Sequence, residues 1–454
     1  MNFKKLTLLD CIMLIMGSMI GSGIFIVPAA MSRDLQSPLL LLAAWAVTAL
    51  LTWFAALSYG ELSAMMPKAG GQYVYLREAY NKLIGFLYGW TLFTVIQTGT
   101  IAAVAVAFAK FSGVFFDTIS DKHILFYVGN ISLSTQQLTA ISIVWLLTLS
   151  NFGSVKQGAW IQNVFTFTKI GAVVFLIAAG TWYAINHSNH SIEWSFSNAY
   201  TGYDFWGIFC VALVGSIFSS DAWNNVTFTG GEIEKPARTL PLSLMSGTGI
   251  VLLIYFFINW VYIKAIPFTD IQNAASDRVG TLLLQTVLGN TGMYIMALFI
   301  MISTFGCING LTLSGARVYY AMAHDGLFFK QAKKLNGKHS PQFALTIQAI
   351  WTSLLTLSGS YGDLLDYVVF AVLLFYILTV GAVFVLRYKQ PLTNRPYRVW
   401  GYPVIPLLYI VTATFICVNL LLYKPEYTYP GLKIVLLGIP VYYLINLKSK
   451  EHAK

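Results

Sequence analysis

The run Gly17-Ser18-Met19-Ile20-Gly21-Ser22-Gly23-Ile24-Phe25 carries the first chemistry legible in this chain. It lies within Leu8 to Ala30, an apolar stretch longer than the about 20 residues a membrane-spanning helix needs. Glycine costs a helix about 1 kcal/mol against alanine, and three glycines with two serines interrupt this one. Unwound backbone is tolerated in hydrocarbon only where protein covers it or where it lines a cavity. Two readings follow. The segment is a broken helix whose free N–H and C=O groups face a binding site, or Gly17 and Gly21 form a GxxxG surface for close helix packing.

A second run, Gly215-Ser216-Ile217-Phe218-Ser219-Ser220-Asp221-Ala222-Trp223-Asn224-Asn225, places another small, polar interruption in a membrane-length segment. Interrupted helices at matching places in two halves of a chain point to a transport site at the membrane midplane. Two charges also fall inside apolar segments, Lys169 and Asp221. Lys169 follows Trp160 by nine residues, about 13 Å along a helix at 1.5 Å per residue, too deep to snorkel easily. Intramembrane charges are costly and usually functional. Asp221 suits a substrate ammonium, a cap for the break, or the rim of a water-filled path.

The elements that must position these residues are long apolar helices. Of 454 residues, 57% are hydrophobic and 10% charged, with a mean hydropathy of +0.67, whereas soluble domains carry about 25% charged residues. The fold class is an all-α polytopic membrane protein. Spans are expected at 7–31, 38–64, 84–112, 136–152, 160–184, 204–228, 242–265, 290–322, 342–358, 364–387, 402–422 and 431–447, about twelve in all. Met1-Asn2-Phe3-Lys4-Lys5 leads straight into the first, so no cleaved signal is expected. Most of the Lys and Arg fall in the termini and in the loops on their side, which predicts cytoplasmic termini. The net charge of +10 is thus a topology signal, helped by anionic lipid, and not a nucleic-acid surface. One domain, 1–454, is expected. It divides into a first repeat at 7–184, an inverted second repeat at 204–387, and two added helices at 402–447.

Five stretches resemble the amino acid–polyamine–organocation superfamily, and most of all its L-amino-acid transporter branch. They are GSMIGSGIF in the first span; YGELSAMMPKAGGQYVYLREAYNKLIGFLYGW, Tyr59 to Trp90; GSVKQGAWIQNVFTFTKIGA, Gly153 to Ala172; the sixth-span motif running into GGEIEKPARTLP, Gly230 to Pro241; and STFGCINGLTLSGARVYYAMAHDGLF, Ser303 to Phe328. The resemblance covers essentially the whole chain. It implies a LeuT-type 5+5 inverted repeat with broken helices 1 and 6, the fold that general accounts of secondary transporters use as their example.

The resemblance also implies roles. Ser18, Met19, Ser22 and Gly23 would hold a substrate carboxylate at the positive end of the half-helix after the first break, and Gly21 would permit close approach. The substrate ammonium would meet carbonyls near Met19, Phe218, Ser219 and Asp221. Phe218 stands where the family has an aromatic gate. Asn224, Asn259, Phe375 and Tyr376 are further pocket or gate positions, as is Ala222; Tyr262 is a polar group in the seventh span that must find a partner. Glu61, Glu232 and Arg238 suit an inner gate. Relatives commonly have glycine directly before the Trp and often an aromatic two residues earlier; Ala222 and Ser220 depart from that pattern, so pocket size and selectivity are written there. Lys169 aligns with a lysine of sodium-independent members, where the ammonium resembles a built-in replacement for a coupling cation.

These residues predict a sodium-independent transporter, an exchanger of small neutral L-amino acids by alternating access. A proton-coupled symporter using Lys169 is the alternative, and a receptor or scaffold with a transporter-like shell is the alternative of another class. No enzyme, cofactor or metal is expected: there is no Ser/His/Asp set, metal cluster or phosphate loop in the spans, and Cys11, Cys210, Cys307 and Cys417 are scattered. The expected partners are an L-amino acid and membrane lipids. Some relatives pair by a disulfide with a second subunit through the loop between spans 3 and 4; loop 113–135 here has no Cys, so none is expected. The expected place is the inner membrane of a prokaryote.

Overall fold

Capping residues set where many helices begin. The computed structural model describes residues 5–67, 70–128, 131–153, 155–187, 192, 194, 203–358 and 361–451. Thr7 and Asp10 form a capping box on α1 (Leu8–Met19), which is followed after a bend of 41° by α2 (Gly23–Leu35). Ser37 caps α3 (Pro38–Met65), which starts on proline. After α4 (Gln72–Ala79), Asn81 caps α5 (Lys82–Thr91). A π-helical turn, Leu92–Ile96, joins α5 to α6 (Gln97–Ser112). An antiparallel hairpin, β1 (Ile124–Val128) and β2 (Ile131–Ser134), precedes α7 (Thr135–Ser150).

The second half starts after α8 (Val155–His187). Helix α9 (Tyr203–Ser219) stops at the second break, and a 3-10 helix, Trp223–Glu232, continues the span. Then come α10 (Pro236–Ala265), the short α11 (Phe268–Gln272) and α12 (Val279–Leu288), the long α13 (Asn290–His324), α14 (Gln342–Ser358), α15 (Tyr361–Lys389), α16 (Val404–Tyr423) and α17 (Pro425–Glu451).

All twelve expected segments are helical. Among the described residues, nine helices are long and apolar enough to cross a membrane, and the bent pair α1–α2 makes a tenth. Helices α7 and α14, of 16 and 17 residues, fall below that length. Leu407, Leu408, Val411 and Phe415 of α16 and Leu436, Leu437 and Leu444 of α17 stand exposed. Such a surface needs lipid against it, and the chain is a multi-pass membrane protein. The core gathers α1 against α8, α10 and α13, and α2 against α9.

The two ends of the bundle differ. At the end that carries the termini, Leu6 N–H donates to Glu232 O and Leu6 O accepts from Glu234 N–H, each at 2.9 Å, so the chain start is laced to the end of the second broken span. Arg317 holds the Glu232 carboxylate through Nε at 3.1 and 3.2 Å. Arg77 reaches Asp325, which also accepts from Tyr73 Oη. Arg238 is exposed. Glu61 on α3, 1% exposed, receives Arg387 at 2.9 and 2.6 Å, Val399 N–H at 2.7 Å, and Arg395 at 3.4 Å. It fastens the α15–α16 connection across the mouth of the bundle. The opposite end opens into a cleft of about 1070 Å³ between α2, α9 and the loop carrying the hairpin, with Asp34, Lys110, Asp121 and Arg278 on its walls.

Removing one partner of a buried ion pair costs about 3–5 kcal/mol. Glu61→Ala is expected to cost about 3 kcal/mol, since Arg387 is partly solvated, and to expose the 390–403 segment to protease. Thermal unfolding in detergent and limited proteolysis measure both.

Candidate functional site

A helix leaves its last four carbonyls without intrahelical partners, and inside a bundle they must find donors. At the end of α1 each one does. Gly17 O and Ile20 O accept from Lys169 Nζ at 2.7 and 2.8 Å. Ser18 O accepts from Cys307 Sγ at 3.0 Å, and Met19 O from Tyr255 Oη at 2.8 Å. Ser303 Oγ adds a bond to Ile20 O at 2.9 Å, and the third bond of Lys169 goes to Ser303 O at 2.9 Å. The ammonium, 1% exposed, therefore ties α1, α8 and α13 together at the negative end of the α1 dipole, where a cation is favoured.

The N–H side of the same break is treated differently. Helix α2 begins at Gly23 with no side chain capping its first turn. The free N–H groups of a helix start bind anions well. Ser18, 2% exposed, keeps its hydroxyl without a partner among the described residues. Thus the break offers donors to a ligand. Of the carbonyls near Met19, Met19 O already accepts from Tyr255 and Ile20 O from Lys169 and Ser303, which the sequence reading did not anticipate.

Three glycines here have different neighbours. A Cβ on Gly17 would strike the Gln162 and Thr166 side chains of α8, so Gly17 serves packing. On Gly21 it would meet Cys307 Sγ at 3.3 Å. On Gly23 it would fall on the Ser219 hydroxyl, which places the two breaks in direct contact.

At the second break, Phe218, 7% exposed, ends α9 with Ser219, whose hydroxyl donates back to Gly215 O at 2.9 Å. Phe218 O accepts from Asp221 N–H at 3.2 Å. Ala222 sits at φ 68°, ψ 3°, the left-handed region where glycine is the usual occupant. Asp221 Oδ1 accepts from Tyr376 Oη at 2.5 Å, so this acid organises the break through α15. Asn224 Nδ2 donates to Gln72 Oε1 at 3.0 Å, and Gln72 Nε2 donates to Thr379 Oγ1 at 2.9 Å.

These groups surround a small cavity of about 10 Å³, room for about one water. Asp221, Ala222, Asn224, Phe375 and Tyr376 reach it, with Tyr88 and Gln72 opposite. Phe375 packs edge-on to Tyr88 with ring centroids 5.4 Å apart. Asn259 is elsewhere: it donates to Tyr255 O within α10 at 2.8 Å. Tyr262 Oη lies 3.4 Å from Ile24 O. Tyr255, Ser303, Cys307, Gln72 and Tyr88 escaped the sequence reading. The π-turn at Leu92–Ile96, which lines the cavity, had no local signal either.

Known proteins resemble this chain along nearly its whole length. The family model described as amino acid permease matches residues 6–442. The serine/threonine exchanger SteT of Bacillus subtilis is 29% identical over 447 residues, covering 97% of this chain and 96% of that protein. The human b(0,+)-type amino acid transporter 1 is 28% identical, covering 97% and 88%. The human cystine/glutamate transporter is 28% identical, covering 99% and 86%.

Ala222→Gly exchanges relief of left-handed strain, about 1 kcal/mol, for a lost buried methyl, about 0.8 kcal/mol; the melting temperature should barely move. Ala222→Val puts a β-branched residue at positive φ and should cost at least about 2 kcal/mol. Thermal unfolding of both variants tests the assignment.

Proposed function

The chain belongs to the amino acid permease family, and from that premise we propose that it exchanges small neutral L-amino acids by alternating access, independently of sodium. That it transports amino acids follows from its family and its relatives. The observation that supports the finer reading is Lys169: a fixed ammonium bonded to Gly17 O, Ile20 O and Ser303 O lies between α1, α8 and α13, and in this reading it does the work of a coupling cation. The exchange mode draws on the relative named as a serine/threonine exchanger.

In this reading the substrate carboxylate meets the N–H groups at the start of α2 and the Ser18 and Ser22 hydroxyls, with Gly21 and Gly23 letting it come close. Ser219, Asp221 and the gate aromatic Phe218 complete the site from the second break, and Asn224, Phe375 and Tyr376 flank it. The paired breaks support two inverted repeats, 7–184 and 204–387, followed by 402–447. With both termini in the cytoplasm, the large cleft faces outward and the Glu61 and Glu232 clusters close the inside. The absence of Cys in loop 113–135 supports work without a disulfide-linked subunit.

Transport of labelled alanine and serine into proteoliposomes tests this. Uptake is expected to require internal amino acid and to continue when choline replaces sodium. Lys169→Ala takes a charged donor from Gly17 O, Ile20 O and Ser303 O, of which Ile20 O keeps Ser303 Oγ; a buried acceptor left unmet costs about 1–3 kcal/mol, and the change should reduce transport by tenfold or more, with the melting curve recorded beside it. Uptake that needs no internal substrate and follows an imposed pH gradient would replace exchange with proton symport through Lys169. Transport unchanged in Lys169→Ala would sink both.

A further inference from the structure

We infer that the connection between α15 and α16, residues 388–403, is a membrane-surface plate that binds anionic phospholipid headgroups, with Leu392 and Trp400 seated among the lipids and Arg398 and Lys389 on their phosphates.

Exposure comes first. Leu392 is 97% exposed, Tyr388 89% and Trp400 70%, and the first two are the most exposed large apolar side chains among the described residues. The segment cannot turn them inward. Pro391, Pro396 and Pro403 stiffen it, and its other face is already fastened to α3. Glu61 takes Arg387, Arg395 and Val399 N–H. Tyr397 lies so close to Gly60 that a Cβ there would meet its ring at 2.9 Å. Arg387 in turn stacks on Tyr402, 3.7 Å from the ring centroid. An apolar surface held outward in this way needs a cover.

Continuity identifies the cover as lipid. Trp400 and Tyr402 lead into α16, where Val404, Leu407, Leu408 and Val411 extend the exposed apolar surface along a spanning helix. Tyr388 ends α15 at the same level. This is where spans leave the hydrocarbon, the depth that Trp and Tyr favour.

Charge selects the kind of lipid. Residues 387–403 include Arg387, Lys389, Arg395 and Arg398 and no acid. Arg387 and Arg395 are engaged by Glu61. Arg398 is exposed, and among the described residues no acid pairs with it or with Lys389. Lys389 Nζ donates to Ala79 O at 2.9 Å, a neutral acceptor that leaves its charge uncompensated. Cations beside interfacial apolar side chains complement phosphates beside acyl chains. A zwitterionic headgroup brings its own cation; an anionic one does not. Each basic residue at the surface favours anionic lipid by about fivefold. Because the inner face of the plate holds Glu61, a seated plate also steadies α3 against α15.

The test places a reporter on the plate of the full chain. The four cysteines are buried, so Leu392→Cys can carry a polarity-sensitive thiol probe, with the unsubstituted protein as the labelling control. In vesicles the probe is expected to shift to the blue. Brominated phosphatidylglycerol should quench it about fivefold more than brominated phosphatidylcholine at equal content. Adding Arg398→Glu should bring the two quenchers to parity. Arg398 has no internal ion pair, so that change should leave the melting temperature in detergent where it was. Phosphatidylglycerol should raise the melting temperature of the wild type above its value in phosphatidylcholine, and raise that of Arg398→Glu less. Equal quenching by the two lipids with Arg398 in place overturns the inference. So does a probe that neither lipid reaches; a dimeric mass in detergent would then make the plate an interface between two copies. Neither failure bears on the transport reading, which is decided by uptake.

Discussion

Lys169 is the constraint on which the rest of the structure depends. Breaking a helix inside a membrane leaves carbonyls that must be met, and burying an ammonium costs several kcal/mol. Each defect cures the other. Charged hydrogen bonds contribute about 1.5–3 kcal/mol apiece, so the burial cost is offset only while Gly17, Ile20 and Ser303 all accept. The lysine cannot keep its bonds if α1, α8 and α13 separate, and the break cannot stay open without it. A local charge thereby becomes a clamp on the relative position of three helices.

That clamp gives the first break its polarity. Cys307, Tyr255 and Ser303 donate to the carbonyl side, while the start of α2 has no side-chain cap and the Ser18 hydroxyl has no partner among the described residues. The second break has no lysine. It is held by Asp221 on Tyr376 and by the chain Asn224–Gln72–Thr379, all reaching toward α15 and α4. One break is thus fixed to α8 and α13 and the other to α4 and α15, and they touch where Gly23 meets Ser219. A ligand bound at that contact would bear on both sets of helices, which is what alternating access requires of a substrate.

The distribution of ion pairs fits the same logic. The charges at the terminal end are paired across elements: Glu61 to Arg387 and Arg395, Glu232 to Arg317, Asp325 to Arg77. The wide cleft at the opposite end carries Asp34, Lys110, Asp121 and Arg278 along its walls, with Arg33 and Asp277 paired beside them at 2.8 Å. Salt bridges of this kind join elements at one end without burying a large apolar interface.

Much of this was legible in the chain. Unbroken apolar runs placed all twelve helical segments, and the glycines and serines at 17–25 and 215–225 marked both breaks, because hydropathy and helix propensity are properties of consecutive residues. The depth of Lys169 could be counted along its own helix. What sequence could not supply was partnership. Gly17 lies 152 residues from Lys169, Met19 lies 236 from Tyr255, and Asn224 lies 152 from Gln72; nothing local to either member records such a bond. The reading therefore did not supply Tyr255 for the Met19 carbonyl, missed the arginines on Glu61 and Glu232, and did not find the cavity beside Tyr88. The sequence by itself determined where the backbone would be interrupted. Only the packed bundle decided which freed groups are met by the protein and which are left for a ligand, since hydrogen bonding depends on distances that helix packing alone establishes.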